Sequence, residues 1–431
     1  MYKLFGTLNI PGDKSISHRA LILSSMSIGK SEITNLLEAD DINATIKVLR
    51  LLGIKILKKS GKWLVYGNGT NGFLQPNKNL NALNSGTTAR TMIGAVSSNP
   101  IKCRFIGDRS LSRRSMSRVT VYLEKLGAKF KLTKNDYLPL ETLGTDRLMP
   151  EEIIIKKPSA QIKTALIFAG LNLNGKLSIR EKVRTRDHTE KLLKYLEVKH
   201  KIIKGNDGSN LIELKGPYEI NSKNIKVAGD PSSAAFFIVG ALITPGSKII
   251  LKNVMLNPTR VAYIKILKKM GGNITVKKTN NFSGEQCGNI FVSYSKLKGV
   301  NINKSLSPFL IDEYPILSIA ASRANGKTIM NGVGELRHKE SDRIKSIVQN
   351  LKKIGIKAQN VRDNIHITGS SSLNKKTCKI KTFGDHRIAC SFMILAVLNK
   401  NIKIDNEKCV SISYPKFKKD LKSLLKKEFL N

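Results

Sequence analysis

The sequence predicts an α/β chain of about six helix–strand units, arranged as two domains of three. Three observations carry this prediction. An amphipathic helix ending in Leu, Met or Ile followed by Gly, then an alternating strand, recurs in IKVLRLLGIKIL, VYLEKLGAKFKL, YIKILKKMGGNITV and NLKKIGIKAQNV. Its key positions, 53, 127, 197, 271 and 355, are separated by 74, 70, 74 and 84 residues, a period too long for a simple solenoid. The stretch VAGDPSSAAFF, near 227–237, opens the fourth unit and gives the best domain boundary.

Taken along the chain, the units tend to repeat a second feature: a cation at a helix start. In the first, PGDKSISHRA, Lys14 and Arg19 bracket the opening turn of an apolar helix, with Ser15 or Ser17 as the expected N-cap. A helix N-terminus already carries about half a positive charge, so these cations are unfavourable unless an anion joins them. NSGTTAR then leads into TMIGAV with Arg90 one turn in, and PSAQIKTAL offers Ser159 and Gln161 as neutral hydrogen-bonders at a third helix start. TRDHTEKLLKYL places Arg186 just ahead of a helix that Asp187 or Thr185 could cap, and its weaker repeat has Glu197 where Gly is expected. In the second half, SPFLIDEYPILSIAA sets Asp312 and Glu313 before Pro315, where Asp312 reads first as an N-cap. HKESDRIKSIVQNL puts Lys339 and Arg343 around Ser341, and GDHRIACSFMILAVL puts Arg387 two residues after Asp385. A last helix, FKKDLKSLLKKEF, is expected to start a sixth copy and stop. Several helix N-termini with Lys and Arg suit phosphate and carboxylate oxygens, so a small, strongly anionic ligand is expected.

Composition narrows the function classes. The chain has 431 residues, with 74 Lys and Arg against 32 Asp and Glu, a formal net charge of +42. That excess invites a nucleic-acid reading, but the lysines are scattered through nearly every segment rather than gathered in one tail. Richness in Asn and Ile alongside Lys points instead to codon drift. Five cysteines without a C-x-x-C pair indicate neither a disulfide framework nor a zinc site, and the six histidines lack metal-ligand spacing. No signal-like or membrane-length apolar run is present, so a soluble cytoplasmic protein is expected. GNGTNG (67–72) fits a dinucleotide fingerprint, but Pro76 argues against the helix that must follow. SMSIGKSE has Ser24 where a P-loop needs its first Gly.

Nine ordered motifs now meet in one resemblance. PGDKSISHRA, NSGTTAR, PSAQIKTAL, TRDHTE, GDPSSAAF, IDEYPILSIAA, RHKESDRI, GDHRIA and SYPKF closely resemble the 5-enolpyruvylshikimate-3-phosphate synthase (3-phosphoshikimate 1-carboxyvinyltransferase) family across nearly the whole chain. The resemblance implies a two-domain inside-out α/β barrel of six βαβαββ units, with the active site in an interdomain cleft that closes on substrate. The domains would be 13–226 and 227–431, with strand 1–12 added to the second. The implied reaction moves the enolpyruvyl group of phosphoenolpyruvate to the 5-hydroxyl of shikimate 3-phosphate and releases phosphate, on the route to chorismate and aromatic amino acids. No metal or organic cofactor, nucleic acid or membrane is implied, and a monomer is expected.

Carried over residue by residue, Lys14, Ser15, Arg19, Ser159, Ala160, Gln161 and Arg186 resemble the shikimate 3-phosphate side, joined by Asp312 and Lys339. Gly86, Arg114, Arg343 and Arg387 resemble the phosphoenolpyruvate side, with Lys14 and Gln161 shared. Asp312 resembles the general base and Glu340 the proton donor at C3, with Lys14 catalytic beside them; His386 and Asn84 line the site. Neighbouring cations are expected to keep both carboxylates ionised in the empty enzyme. Ser115 stands where many relatives have Pro, leaving Arg113 or Arg114 for the phosphoenolpyruvate contact, and Ile412 replaces a Lys found in some. Gly86 leaves the pocket unnarrowed for glyphosate. Two rivals remain: the sister transferase acting on UDP-N-acetylglucosamine, which uses a loop cysteine where this chain has Asp108, and a basic non-catalytic nucleic-acid-binding protein.

Overall fold

The computed structural model describes residues 2–134, 136–374 and 376–427. The chain divides into two compact units. One, here the N-terminal unit, comprises 12–228 with 282–285; the other, the C-terminal unit, comprises 1–11, 229–281 and 286–431. The division falls at 11/12 and 228/229, not at 12/13 and 226/227, because backbone bonds draw the crossing residues to one side. Asp13 N–H bonds the Ala228 carbonyl and Val227 N–H bonds that of Thr34, while Gly229 N–H bonds Asn253 and Asp230 N–H bonds Pro11.

Within the N-terminal unit, three four-stranded sheets share one plan, in which a strand pairs in parallel with the next and then antiparallel with a hairpin. The second sheet runs Leu80–Asn81, Cys103–Ile106, Tyr137–Thr142, Phe130–Lys134, and the third Glu152–Ile155, Gly175–Glu181, Asn210–Gly216, His200–Lys204. The first runs Ile225–Lys226, Ile28–Thr34, Lys62–Asn68, Lys55–Lys59, so its parallel partner comes from the far end of the same unit. Helices Lys14–Ser25, Gly86–Ser97 and Ala160–Gly170, buried on most of their surface, lead into the strands Ile28–Thr34, Cys103–Ile106 and Gly175–Glu181. The last two helices approach so closely that a Cβ on Gly94 would lie 2.3 Å from the Ala165 carbonyl oxygen, a position only Gly can hold. Outer helices Asp40–Leu51, Ser117–Leu123 and His188–Tyr195 complete the three units.

The C-terminal unit repeats the plan. Tyr2–Asn9 pairs in parallel with Lys248–Met255, Asn301–Ile302 with Lys327–Met330, and Cys378–Ile380 with Ile402–Ile404. Helices Pro231–Ile243, Tyr314–Ser322 and His386–Ala396 pack around one apolar core that includes Phe237, Leu317 and Phe392. Those helices are apolar nearly all round because neighbours enclose them, whereas Ala262–Lys269, Arg343–Lys353 and Phe417–Leu424 are amphipathic and lie outside.

The helix–Gly–strand reading meets its geometry directly. Gly53, Gly127, Gly271 and Gly355 have φ of 86°, 92°, 92° and 85°, and Glu197 takes the same left-handed turn at φ 61°. Phe417–Leu424 does not start a sixth copy, as the sequence suggested, but is the outer helix of a sixth unit already begun by Cys378–Ile380. The Gly-Lys-Ser of SMSIGKSE lies in strand Ile28–Thr34, and no helix follows GNGTNG. Among the described residues, no helix is long and apolar enough to cross a membrane.

Candidate functional site

In the C-terminal unit, two helix starts and one preceding turn gather five of the predicted residues. Arg343 opens Arg343–Lys353, which Asp342, not Ser341, caps by accepting the Lys345 N–H at 3.0 Å. The Arg343 side chain is 1% exposed, yet it is satisfied by acids: Nε donates to Asp385 Oδ2 at 2.8 Å and Nη2 to Glu340 Oε2 at 2.6 Å. Its Nη1 lies 3.5 Å from Asp312 Oδ1. Arg387, in the first turn of His386–Ala396, donates Nη1 to the Asp312 carbonyl at 3.1 Å and places Nη2 3.5 Å from Asp312 Oδ2. Asp312 therefore is not an N-cap. The N-cap position of Tyr314–Ser322 falls to Glu313, without a side-chain cap bond, and Asp312 faces two guanidiniums.

Electrostatics follow from this packing. Burial opposes charge on Arg343, but Asp385, Glu340 and Asp312 outweigh it and raise its pKa, so the guanidinium is permanently charged. Lys339 is shifted the other way, mainly by burial, with Arg343 adding to the effect and Asp312 opposing it. Asp385 is the residue the sequence reading passed over as a site member: fully buried, it accepts from Arg343, from Ser341 Oγ at 3.1 Å and from the Arg387 N–H at 2.9 Å. Its signal was the Gly-Asp pair before a helix, read only as local capping. His386 is buried beside it.

In the N-terminal unit, the first helix is capped by Asp13, which accepts the Ile16 N–H at 2.8 Å, and not by Ser15 or Ser17. Lys14 then donates to Asp41 Oδ2 at 2.8 Å. That partner, 27 residues on, carried no signal in the sequence. The Ser15 carbonyl accepts Arg19 Nη1 at 2.8 Å, while Arg19 Nη2 and Nε donate to Thr164 and Thr189 at 2.6 and 2.7 Å. Ser159 caps Ala160–Gly170 through the Ile162 N–H, and Ala160 is its first residue. One residue further, Gln161 Oε1 accepts Arg90 Nη1 at 2.8 Å and its Nε2 donates to Thr87 Oγ1 at 3.0 Å. Arg186 is half-buried in the turn before His188–Tyr195, where Asp187 makes no side-chain cap bond.

Gly86 and Arg114 come together here. A Cβ on Gly86 would meet Arg90 Nη1 at 3.3 Å and Arg114 Nη1 at 3.5 Å. Arg114 Nη2 donates to Asn84 Oδ1 at 2.7 Å, and Asn84 in turn donates to Asp108 at 2.7 Å, whereas Arg113 is exposed. The geometry thus brings Arg114, not Arg113, beside Gly86. One group could be read as metal ligands: Asp187, His188 and Glu285 have ligand atoms within 4.8 Å of one another. Both Glu285 oxygens are already taken, by His188 Nδ1 at 2.7 Å and the Lys191 ammonium at 2.7 Å, and a cation in that position opposes a metal.

Comparison with known proteins places this arrangement. A family model described as EPSP synthase (3-phosphoshikimate 1-carboxyvinyltransferase) matches residues 1–421. The 3-phosphoshikimate 1-carboxyvinyltransferase of Caldicellulosiruptor bescii is 42% identical over 428 residues, 99% of this chain and 98% of that one. The Zymomonas mobilis protein of the same name is 40% identical over 427 residues, 98% and 94% of the two chains. The solved EPSP synthase of Acinetobacter baumannii superposes with a TM-score of 0.85 at 34% identity, over 99% of this chain and 98% of that one. The enolpyruvyl transferase NikO from Streptomyces tendae shares the fold alone, with a TM-score of 0.77 at 14% identity over 98% and 95%. With its repeated helix–strand units, cations at several helix starts and this likeness from end to end, the chain belongs to the EPSP synthase, or 3-phosphoshikimate 1-carboxyvinyltransferase, family.

Proposed function

We propose that the protein transfers the enolpyruvyl group of phosphoenolpyruvate to the 5-hydroxyl of shikimate 3-phosphate, and that the clusters of its two units divide the work. Family membership over residues 1–421 supports the reaction. The observation that carries the residue roles is Arg343, a buried guanidinium shared by Asp312, Glu340 and Asp385. Such an anchor fixes two carboxylates beside each other at the start of one helix, with Arg387 supplying a second charge.

Asp312 serves as general base. Its two carboxylate oxygens lie 3.5 Å from the guanidiniums of Arg343 and Arg387, which steady the carboxylate that takes the 5-hydroxyl proton. As that oxygen adds to C2 of phosphoenolpyruvate, C3 takes a proton from Glu340; C3 then returns a proton to the Glu340 carboxylate as the C2–O bond to phosphate breaks, and the departing phosphate takes the proton held by Asp312. Glu340 is paired with Arg343 at 2.6 Å, so bound dianions must raise its pKa before it can donate. Lys14, Gly86, Arg114, Gln161, Arg343 and Arg387 hold phosphoenolpyruvate, and Arg114 rather than Arg113 makes the contact because it lies beside Gly86. Lys14, Ser15, Arg19, Ser159, Ala160, Gln161, Arg186, Asp312 and Lys339 hold shikimate 3-phosphate, Arg matching its planar anions in pairs of hydrogen bonds.

The UDP-N-acetylglucosamine alternative is disfavoured by the thiols and the turn. Asp108 is spent on Asn84 and the Leu111 N–H, and burial pushes the Cys103 thiol up to about 12, leaving it unreactive. Phosphate release measured with each acceptor decides the matter: release with shikimate 3-phosphate is expected, and release only with UDP-N-acetylglucosamine overturns the reading.

A further inference from the structure

Behind the first turns of two helices in the N-terminal unit lies a charge cluster that the proposed chemistry does not use. Lys163, on Ala160–Gly170, has a fully buried side chain whose ammonium is 2.7 Å from Glu190 Oε1 and 2.9 Å from Glu181 Oε2. Both carboxylates are nearly as buried. Glu181 ends strand Gly175–Glu181, and Glu190 sits in the first turn of His188–Tyr195. Lys163 is therefore the common partner of the two elements that flank turn 182–187, the turn carrying Arg186. Thr185 within that turn donates to the other oxygen of Glu181. One residue on, Thr164 and Thr189 bond each other at 2.7 Å, and both accept from Arg19. Burial opposes charge on Lys163, but Glu190 and Glu181 outweigh it and hold the ammonium charged.

Three buried ionised groups are a poor device for stability, because desolvation offsets most of their attraction and an apolar triad of equal volume would serve as well. What they supply is a fixed spacing. We propose that Lys163 is a positioning residue for the acceptor: by tying one helix to both ends of turn 182–187, it sets Arg186 and Arg19 against Ser159 and Gln161. This rests on the assignment of those four residues to shikimate 3-phosphate. Small displacements of such groups weaken binding steeply.

The test uses the full-length protein and its Lys163→Met variant, with steady-state kinetics in both substrates and calorimetric titration of shikimate 3-phosphate. KM and Kd for shikimate 3-phosphate are expected to rise tenfold or more, while kcat at saturating acceptor and KM for phosphoenolpyruvate change less than threefold. Glu190→Gln, which keeps an acceptor for Lys163 and balances the charges one to one, should stay within threefold of the parent. A Lys163→Met protein that is only less heat-stable, with Kd for shikimate 3-phosphate unchanged well below its melting point, overturns the proposal, as does a fall in kcat alone. Should Lys163→Met not fold, Thr185→Val decides: it frees the turn from Glu181 and leaves the ion cluster whole. At least a threefold rise in KM for shikimate 3-phosphate supports the proposal, and no change overturns it. A parent protein that neither binds nor turns over shikimate 3-phosphate would instead sink the functional reading.

Discussion

Asp312 shows how a residue's surroundings decide its use. On sequence alone it reads as a helix cap, because Asp before a Pro-containing helix start usually is one. The structure gives the cap position to Glu313 and leaves Asp312 between two guanidiniums, those of Arg343 and Arg387, from the first turns of two later helices. Asp312→Asn keeps the shape and removes the proposed base, so kcat should fall by about 10²–10⁴, with the circular dichroism spectrum unchanged. Gly86 makes a second prediction. A methyl there presses on the Arg90 and Arg114 guanidiniums, so Gly86→Ala should raise KM for phosphoenolpyruvate severalfold and weaken glyphosate inhibition in parallel, both read in the phosphate-release assay. The cations at these helix starts were legible because they defy the helix dipole. Asp13, Asp41 and Asp385, which cap or neutralise around them, were not, since an acid at a helix start has an ordinary local explanation.

Elements were most legible where backbone stereochemistry leaves few choices. A left-handed residue between helix and strand asks for Gly, and four of the five turns have it. Glu197 occupies the fifth at φ 61°, where an L side chain costs about 1–2 kcal/mol and its exposed pair with Lys223 returns at most about 1 kcal/mol. Glu197→Gly should therefore stabilise the protein by about 0.5–1 kcal/mol in urea denaturation. The first helix carries a pH signature. His18, fully buried with Nδ1 bonded to Thr45 at 2.7 Å, has its pKa held well below 6.5 by burial and then by Lys14 and Arg19. The unfolded chain takes up this proton first, so the stabilisation is complete above about 6.5 and is lost as pH falls. Melting temperature should drop between pH 6.5 and 5, and less steeply in His18→Gln. What sequence periodicity missed was which element closes each sheet, because strands of two or three residues such as Ile225–Lys226 carry no alternation to read.

At the scale of the molecule, a formal charge of +42 meets two polyanionic substrates. Long-range attraction of this kind acts on encounter and is screened by salt. Raising ionic strength from about 0.01 to 0.1 M shortens the Debye length from about 30 to 10 Å. The prediction is a fall of roughly threefold or more in kcat/KM for both substrates, with kcat at saturation little changed. The number of units was legible from the chain, whereas the route of the backbone between halves came from the family resemblance, because no local pattern marks which half a strand joins. That route has a temporal consequence. Phe5 pairs with Lys248, so during synthesis strand Tyr2–Asn9 has no parallel partner until Lys248–Met255 has been made. At about 5–20 residues per second, that wait is on the order of 12–50 s. Residues 12–228 carry their own closing strand, Ile225–Lys226, and can build all three of their sheets during the delay, with only 282–285 still to be added. Nascent chains thus pass through a stage with one unit nearly assembled and strand Tyr2–Asn9 solitary, an obvious client for a holding chaperone.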